Sequence, residues 1–369
     1  MTKFVNGIIE TVRSVVGSGK HALHEPCFEG NELKYLRRCL DTTMVSYVGP
    51  YVNEFESELS RFVGADYCFS TNTGTAALHL ALLAIDVKPE DEVLLPSFSF
   101  VATANSVRYC GASPHFIDID ECSLGINPDK LDAYLSDLIR VENGEAVNVV
   151  TKKPIRAMIV MHTYGHPVDM QKVVNVADKY GLPVIEDAAE ALGSFYEGQH
   201  VGTIGQIGIF SFNGNKTITT GGGGAVITNN EALFMKVKHI GSTAKVSHPF
   251  ELYHDAVGYN YRMPNVNAAI GLGQLENLEV KLSKKRKLTE LYINAFSGLH
   301  GVRIFRENAN AKSNYWLQAM ILDKENFWAR DEILAECQKC GLFVRPAWTP
   351  IHQLIPFKQC PRMDLEATT

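Results

Sequence analysis

Residues 184–226 read VIEDAAEALGSFYEGQHVGTIGQIGIFSFNGNKTITTGGGGAV, and the division of this stretch decides the fold. It opens with an apolar, strand-like piece that ends in two carboxylates, Glu186 and Asp187. A turn-rich segment follows, then a second apolar run at 207–212, a lone lysine, Lys216, and consecutive glycines from Gly221 to Gly224. Taken singly, Lys216 reads as a solvated loop lysine and Asp187 as a helix cap, because exposure is the usual fate of both residue types. Together, each beside a buried strand, they form a chemical pair. Desolvation lowers the pKa of an ammonium, and a neutral amine condenses with a carbonyl to a Schiff base.

Pyridoxal 5′-phosphate needs such a lysine, and an acid that keeps its ring nitrogen protonated. Working outward, strands alternate with helices. A strand running into a polar turn is expected over 67–75, with further strands at 92–96, 114–119, 155–161 and 315–321. Helices are expected at 30–40, where Leu33, Leu36 and Leu40 recur at helical spacing, and at 51–62, 76–84, 102–109, 128–141, 169–180, 231–240 and 265–278. That alternation implies an α/β fold with a large, mostly parallel sheet covered on both faces. The turn Thr73-Gly74-Thr75 precedes a helix, where free N–H groups and the dipole favour phosphate; an ordinary capped helix is the plainer reading. His162 ends a strand, where ligands of such sheets bind, although a lone histidine there is more often part of the scaffold. Phe100 and Asn260, read without context, are a core phenylalanine and a turn residue.

The order E-D-A-A-E-A-x-G at 186–193, S-F-N-x-x-K at 211–216 and G-G-G-G-A-V at 221–226 resembles the DegT/DnrJ/EryC1/StrS sugar aminotransferases. The resemblance runs from about residue 23 to the end of the chain. It implies a fold-type I, pyridoxal phosphate-dependent enzyme acting on nucleotide-linked keto-sugars, with L-glutamate as amino donor. It further implies Lys216 as the cofactor-bearing lysine and Asp187 as the partner of the pyridine nitrogen. Thr73, Gly74, Thr75 and Ser211 match the cofactor-phosphate site, and Phe100 matches an aromatic ring stacked on the pyridine. Asn260 and Arg262 lie in a G-Y-N-Y-R segment that the family places in the neighbouring subunit's active site, so a homodimer with shared sites is part of the expectation. Arg345, Trp348 and His352 match an R-P-x-W-x-P-x-H element near the sugar, and His162 is a further substrate candidate. Many relatives carry histidine or glutamine at the position of Glu190, close to the cofactor's phenolic oxygen. A carboxylate there is unfavourable unless protonated or bridged, and its role stays open.

A subgroup of the family replaces the lysine by histidine and dehydrates its substrate; Lys216 argues for transamination. The N-terminal L-H-E-P…G-N-E and the L-L-P-S-F-S-F run resemble members that aminate C4 of UDP-2-acetamido-4-keto-2,6-dideoxyglucose. A GDP-4-keto-6-deoxymannose aminotransferase, making perosamine, is the competing reading, and a non-catalytic regulatory relative is a third.

The remaining properties bound the setting. The chain has 369 residues, 46% hydrophobic, with a formal net charge of -6. The charge argues against a nucleic-acid partner. The basic run 281–287, without interleaved aromatics, reads as a solvated helix face. Eight scattered cysteines suit reduced thiols in a cytoplasm. Cys337 and Cys340 fit helical spacing better than a metal pair. No apolar run approaches membrane-spanning length. Three segments are expected: a helical appendage at 1–22 docked on the small domain, a large cofactor-binding domain at 23–275, and a small C-terminal α+β domain at 276–369 that stops short of the family's last segment.

Overall fold

In the computed structural model, which describes residues 2–369, the apolar runs singled out above become one seven-stranded sheet. Its strands are β1 (Tyr67–Thr71), β2 (Glu92–Pro96), β3 (Ser113–Ile117), β4 (Ile155–Met161), β5 (Val184–Asp187), β6 (Ile207–Ser211) and β7 (Gly224–Thr228). The spatial order is β3-β2-β4-β5-β6-β7-β1. From β3 to β6 every pairing is parallel, whereas β7 runs antiparallel to both β6 and β1. The strand order reverses between β2 and β4, and the carboxyl ends beside such a reversal are where doubly wound sheets bind ligands. Ser97, His162 and Asp187 all sit there.

Helix Gly74–Ala84 is apolar on all sides and buried along nearly its whole length, against β6, β7 and the helices Val101–Tyr109 and Glu231–Gly241. The small residues of helix Asn265–Glu276 let two helices approach, Glu32–Asp41 and Pro50–Val63. A methyl at Gly271 would lie 2.8 Å from the Phe55 ring. A second apolar cluster joins Val5, Ile8 and Ile9 of helix Lys3–Val16 to Phe296, Val302 and Ile333, so the N-terminal helix docks on C-terminal elements.

The C-terminal stretch departs from the division at 276. Ile351, Phe357, Cys360, Met363 and Leu365 belong to the first, larger core. The tail runs along the free edge of β3, where Phe116 N donates to Pro361 O at 2.9 Å and Met363 N donates to Phe116 O at 3.0 Å. At the opposite edge, Asn72 N donates to Tyr261 O at 2.8 Å, and Met263 N to Ser70 O at 3.2 Å. Local expectations also shift. The 128–141 helix stops at Leu138, because Ile139–Glu142 pairs with Glu145–Asn148 as a hairpin. The strand expected at 315–321 shrinks to Met320–Leu322. On helix Glu32–Asp41 the spacing is helical, but Leu33 and Leu40 face outward while Glu32 and Cys39 are buried.

His166 is buried edge-on to Phe305 and Tyr315, with centroids 4.7 and 5.2 Å away, and neither ring nitrogen has a partner. Burial lowers its pKa to about 4. The unfolded chain therefore binds the proton at about pH 6.5, before the folded chain does. The stability contribution is complete above pH 6.5 and is lost as pH falls toward 4. Unfolding free energies from urea titrations at pH 7.5 and 5.0 should differ by about 1–2 kcal/mol less in His166→Leu than in the parent. Part of the slope should persist through His200, also lowered to about 4 by burial.

Candidate active site

Adjacent residues on a strand point to opposite faces, and this separates the two acids at the end of β5. Glu186 points into a closed polar nest. Its Oε2 accepts from His162 Nε2 at 3.0 Å and from Gly202 N at 2.6 Å, and its Oε1 accepts from Ile204 N and Gly205 N. Burial raises its pKa, but the His162 bond and these amides outweigh that and hold it below the ordinary value. Asp187 is equally buried but has fewer donors: Thr103 Oγ1 at 2.8 Å and Ala189 N at 3.2 Å. Thr103 is in turn braced by Ser99 Oγ at 2.9 Å. Burial raises the Asp187 pKa despite these bonds and the nearby Lys216 charge. An enclosed carboxylate with so few donors is complemented by a cation.

His162, expected near substrate, is wholly buried, and both nitrogens are engaged. Nδ1 accepts from Val168 N at 3.3 Å, which leaves the proton on Nε2 for Glu186. It belongs to the scaffold beside the site, its backbone N donating to Asp187 O at 3.2 Å, and has no face open to a ligand.

Lys216 lies in the turn after β6, and its Nζ is 3.0 Å from Glu190 Oε1 and 4.2 Å from the Trp316 ring centroid. The second oxygen of Glu190 accepts from Tyr164 N at 2.9 Å. Burial raises the Glu190 pKa, with the Lys216 charge opposing it most. Tyr164 donates that amide from a left-handed backbone, φ 54° and ψ 18°, a strained conformation for a bulky residue. Gly165 follows with φ 90°, and a Cβ there would collide with Asn314 Oδ1. Asn314 Nδ2 itself donates to Glu190 O and Leu192 O, both at 2.9 Å.

The phosphate-like turn is shaped around absence of a side chain. A Cβ on Gly74 would come 2.8 Å from Ser211 Cβ and 3.0 Å from its Oγ. Thr73 caps the helix, its Oγ1 accepting from Ala76 N at 3.0 Å, and Thr75 stands one residue past Gly74. Phe100, the N-cap of the next helix, is 51% exposed, so it is not the core residue that sequence alone favours. Trp348 lies 4.9 Å from Tyr164, 5.5 Å from Phe98 and 6.3 Å from Phe100, forming an aromatic wall. His352 Nδ1 is 2.7 Å from Ser97 Oγ, which ties the C-terminal stretch to the end of β2. Arg345 is exposed on the approach to Trp348. Asn260 is exposed, and Arg262 lies beside Thr71, 3.8 Å from Glu56 and over the Tyr47 and Phe69 rings.

These residues fit pyridoxal 5′-phosphate: a hydroxyl-lined turn at a helix start, a shielded acid short of donors, an open aromatic face and an amine. Thr103, Tyr164, Asn314 and Trp316 were missed in the sequence. Only Thr103 had a local signal, its place one turn into the helix that Phe100 begins.

Residues 26–368 match the DegT/DnrJ/EryC1/StrS aminotransferase family. The GDP-perosamine synthase of Escherichia coli O157:H7 is 36% identical over 332 residues, 90% of this chain and 85% of that protein. The UDP-4-amino-4,6-dideoxy-N-acetyl-beta-L-altrosamine transaminase of Campylobacter jejuni 81-176 is 33% identical over 312 residues, 84% and 79% of the two chains. The structure of Helicobacter pylori PseC, an aminotransferase involved in pseudoaminic acid biosynthesis, superposes with a TM-score of 0.83 at 26% identity, over 92% of this chain and 88% of that one. The chain belongs to the DegT/DnrJ/EryC1/StrS aminotransferase family.

Thr103→Val removes the shorter of the two bonds to Asp187 and favours its neutral form. Equilibrium dialysis should show cofactor affinity falling roughly 10-fold, as expected for loss of one hydrogen bond to a charged group.

Proposed function

Proceeding from that membership, we propose that this chain transfers an amino group from L-glutamate to the keto carbon of a nucleotide-linked 4-keto-6-deoxy sugar, using pyridoxal 5′-phosphate. The observation that carries the reading is the enclosed, donor-poor Asp187 within reach of the Lys216 charge. When bound, the cofactor supplies an electron sink and a carrier for the amino group. Lys216 would hold it and would move the proton at the reacting carbon. Asp187 would keep the ring nitrogen protonated, which would offset the cost of its own burial. Thr73, Gly74, Thr75 and Ser211 would receive the phosphate, and Phe100 would cover the ring. Glu190, held by Tyr164 N–H, orients the Lys216 amine. Arg262, Arg345, Trp348 and His352 border the sugar.

For the sugar we favour UDP-2-acetamido-4-keto-2,6-dideoxyglucose. GDP-4-keto-6-deoxymannose is a second reading, supported by the names of the perosamine synthases among the relatives. The working unit is a homodimer in which Asn260 of one copy reaches the cofactor phosphate of the other. Exposed Leu33, Leu40, Met44, Val45 and Val48, on helix Glu32–Asp41 and the loop after it, supply an apolar face for that contact. All eight cysteines are free thiols, as suits a reducing cytoplasm. Among the described residues no helix is long and apolar enough to cross a membrane.

Borohydride reduction followed by peptide mass spectrometry should find the cofactor on Lys216, and glutamate should bleach the visible absorbance. Lys216→Ala should lower turnover by ~10³-fold or more. An unmodified Lys216 and colourless protein would overturn the reading. A panel of UDP- and GDP-linked keto-sugars, with products weighed by mass spectrometry, separates the two sugars. In sedimentation velocity, Leu40→Glu with Val48→Asp should shift the chain from dimer to monomer and weaken cofactor retention; an unchanged dimer would place the contact elsewhere.

A further inference from the structure

The lysine-rich run 281–287 reads in sequence as a solvated helix face, and the structure turns part of it inward. On helix Leu278–Phe296, Lys281, Lys285 and Leu288 recur at i, i+4 and i+7, which is one helical face. That face lines a cavity of about 240 Å³ that Lys216 lines as well. Its other walls include His24, Asn277 and Lys284.

The charges in this cavity are poorly compensated. Lys285 Nζ donates to the Trp316 carbonyl at 3.0 Å and makes no ion pair among the described residues, and burial lowers its pKa to about 8. Lys281 donates to the Cys27 carbonyl at 3.2 Å and to the Gln274 side-chain oxygen, and burial lowers it too. Lys284 has only the exposed Glu29 carboxylate, 3.8 Å away. His24 is held neutral, its pKa lowered to about 3 by burial first and then by Lys285, Lys281 and Lys216. Its Nδ1 is buried without a partner. Two carboxylates, Glu25 and Glu29, also line the cavity, but the four lysines Lys216, Lys281, Lys284 and Lys285 outnumber them, and such an excess of positive charge around a partly enclosed space is unfavourable by itself. An anionic ligand removes that cost.

We propose that this cavity is the diphosphate subsite of the nucleotide-sugar substrate, with Lys281, Lys284 and Lys285 as the phosphate-facing cations. The assignment rests on the nucleotide-sugar reading above and adds where its charge is held. Lysine suits phosphate as a compact point charge, whereas planar carboxylates are recognised by the guanidinium fork. The cavity lining contains no arginine. Arg286, the one arginine of the basic run, is turned away and makes two bonds to Glu307, at 2.7 and 2.8 Å. The position is also apt, because Lys216, the reacting amine, lines the same cavity as these lysines.

The test uses the cofactor-loaded enzyme, so that the cofactor's own phosphate turn is filled. Inorganic pyrophosphate, UDP and GDP are titrated calorimetrically, with glutarate as the dicarboxylate probe. Pyrophosphate should bind the parent and weaken as salt rises. Lys285→Met and Lys281→Met should each weaken it roughly 10-fold, and exposed Lys284→Ala by about 3-fold. Lys287→Ala, on the outer face of the same helix, should leave it unchanged, and circular dichroism checks that every variant is folded. Folded Lys285→Met and Lys284→Ala proteins that bind pyrophosphate like the parent would overturn the assignment. Loss of glutarate binding alone would also overturn it, making this the donor's pocket. If no keto-sugar is aminated yet pyrophosphate binding depends on these lysines, the anion subsite stands and the sugar reading falls.

Discussion

A carboxylate enclosed at the end of a parallel strand is the constraint on which the rest of this molecule depends. Asp187 is shut away from water, and burial works against its charge. The strand's two-residue period sends its neighbour Glu186 to the other face, where a histidine and three backbone amides satisfy it fully. Two identical charges, adjacent in sequence, thus become one closed structural anchor and one acid that waits for a cation. The sheet supplies the difference, because only a strand flanked by β4 and β6 could bury both side chains.

The other half of the site is held by strain. Tyr164 occupies a backbone region that costs such a residue about 1–3 kcal/mol. It is fixed there by Gly165 pressed against Asn314 and by the amide it gives to Glu190. Asn314 then ties the 313–316 segment to the carbonyls of Glu190 and Leu192, and Trp316 brings its ring over Lys216. The C-terminal part of the chain therefore helps to position the lysine.

Much of this was legible in the sequence, for identifiable reasons. Parallel strands buried on both faces appear as continuous apolar runs, so the sheet could be located from them. Lys216 and Asp187 stood out because each follows such a run. Tyr164, Asn314 and Trp316 could not be found that way, since they reach the site from chain segments far apart in sequence, and no periodicity encodes those contacts. Phe100 was ambiguous because a phenyl ring looks the same in a core and at an opening. Leu33 and Leu40 misled in the opposite sense: helical spacing names a face but not what it meets. The lysines at 281 and 285 show the same failure, charged residues whose face happens to look inward. His162 stood as a substrate candidate from its place at a strand end beside the commoner scaffold reading, and its full burial favours the scaffold.

The covered rims of the main sheet carry a further consequence. An unprotected edge strand exposes a row of unpaired amides and carbonyls that can recruit another chain and begin aggregation. Here the tail around Pro361–Met363 occupies the rim at β3, and the Tyr261–Met263 stretch occupies the rim at β1. Copies of this protein have little opportunity to zip together strand to strand. Association is steered toward helix faces and loops, and the last residues of the chain act as a guard against fibrous self-assembly.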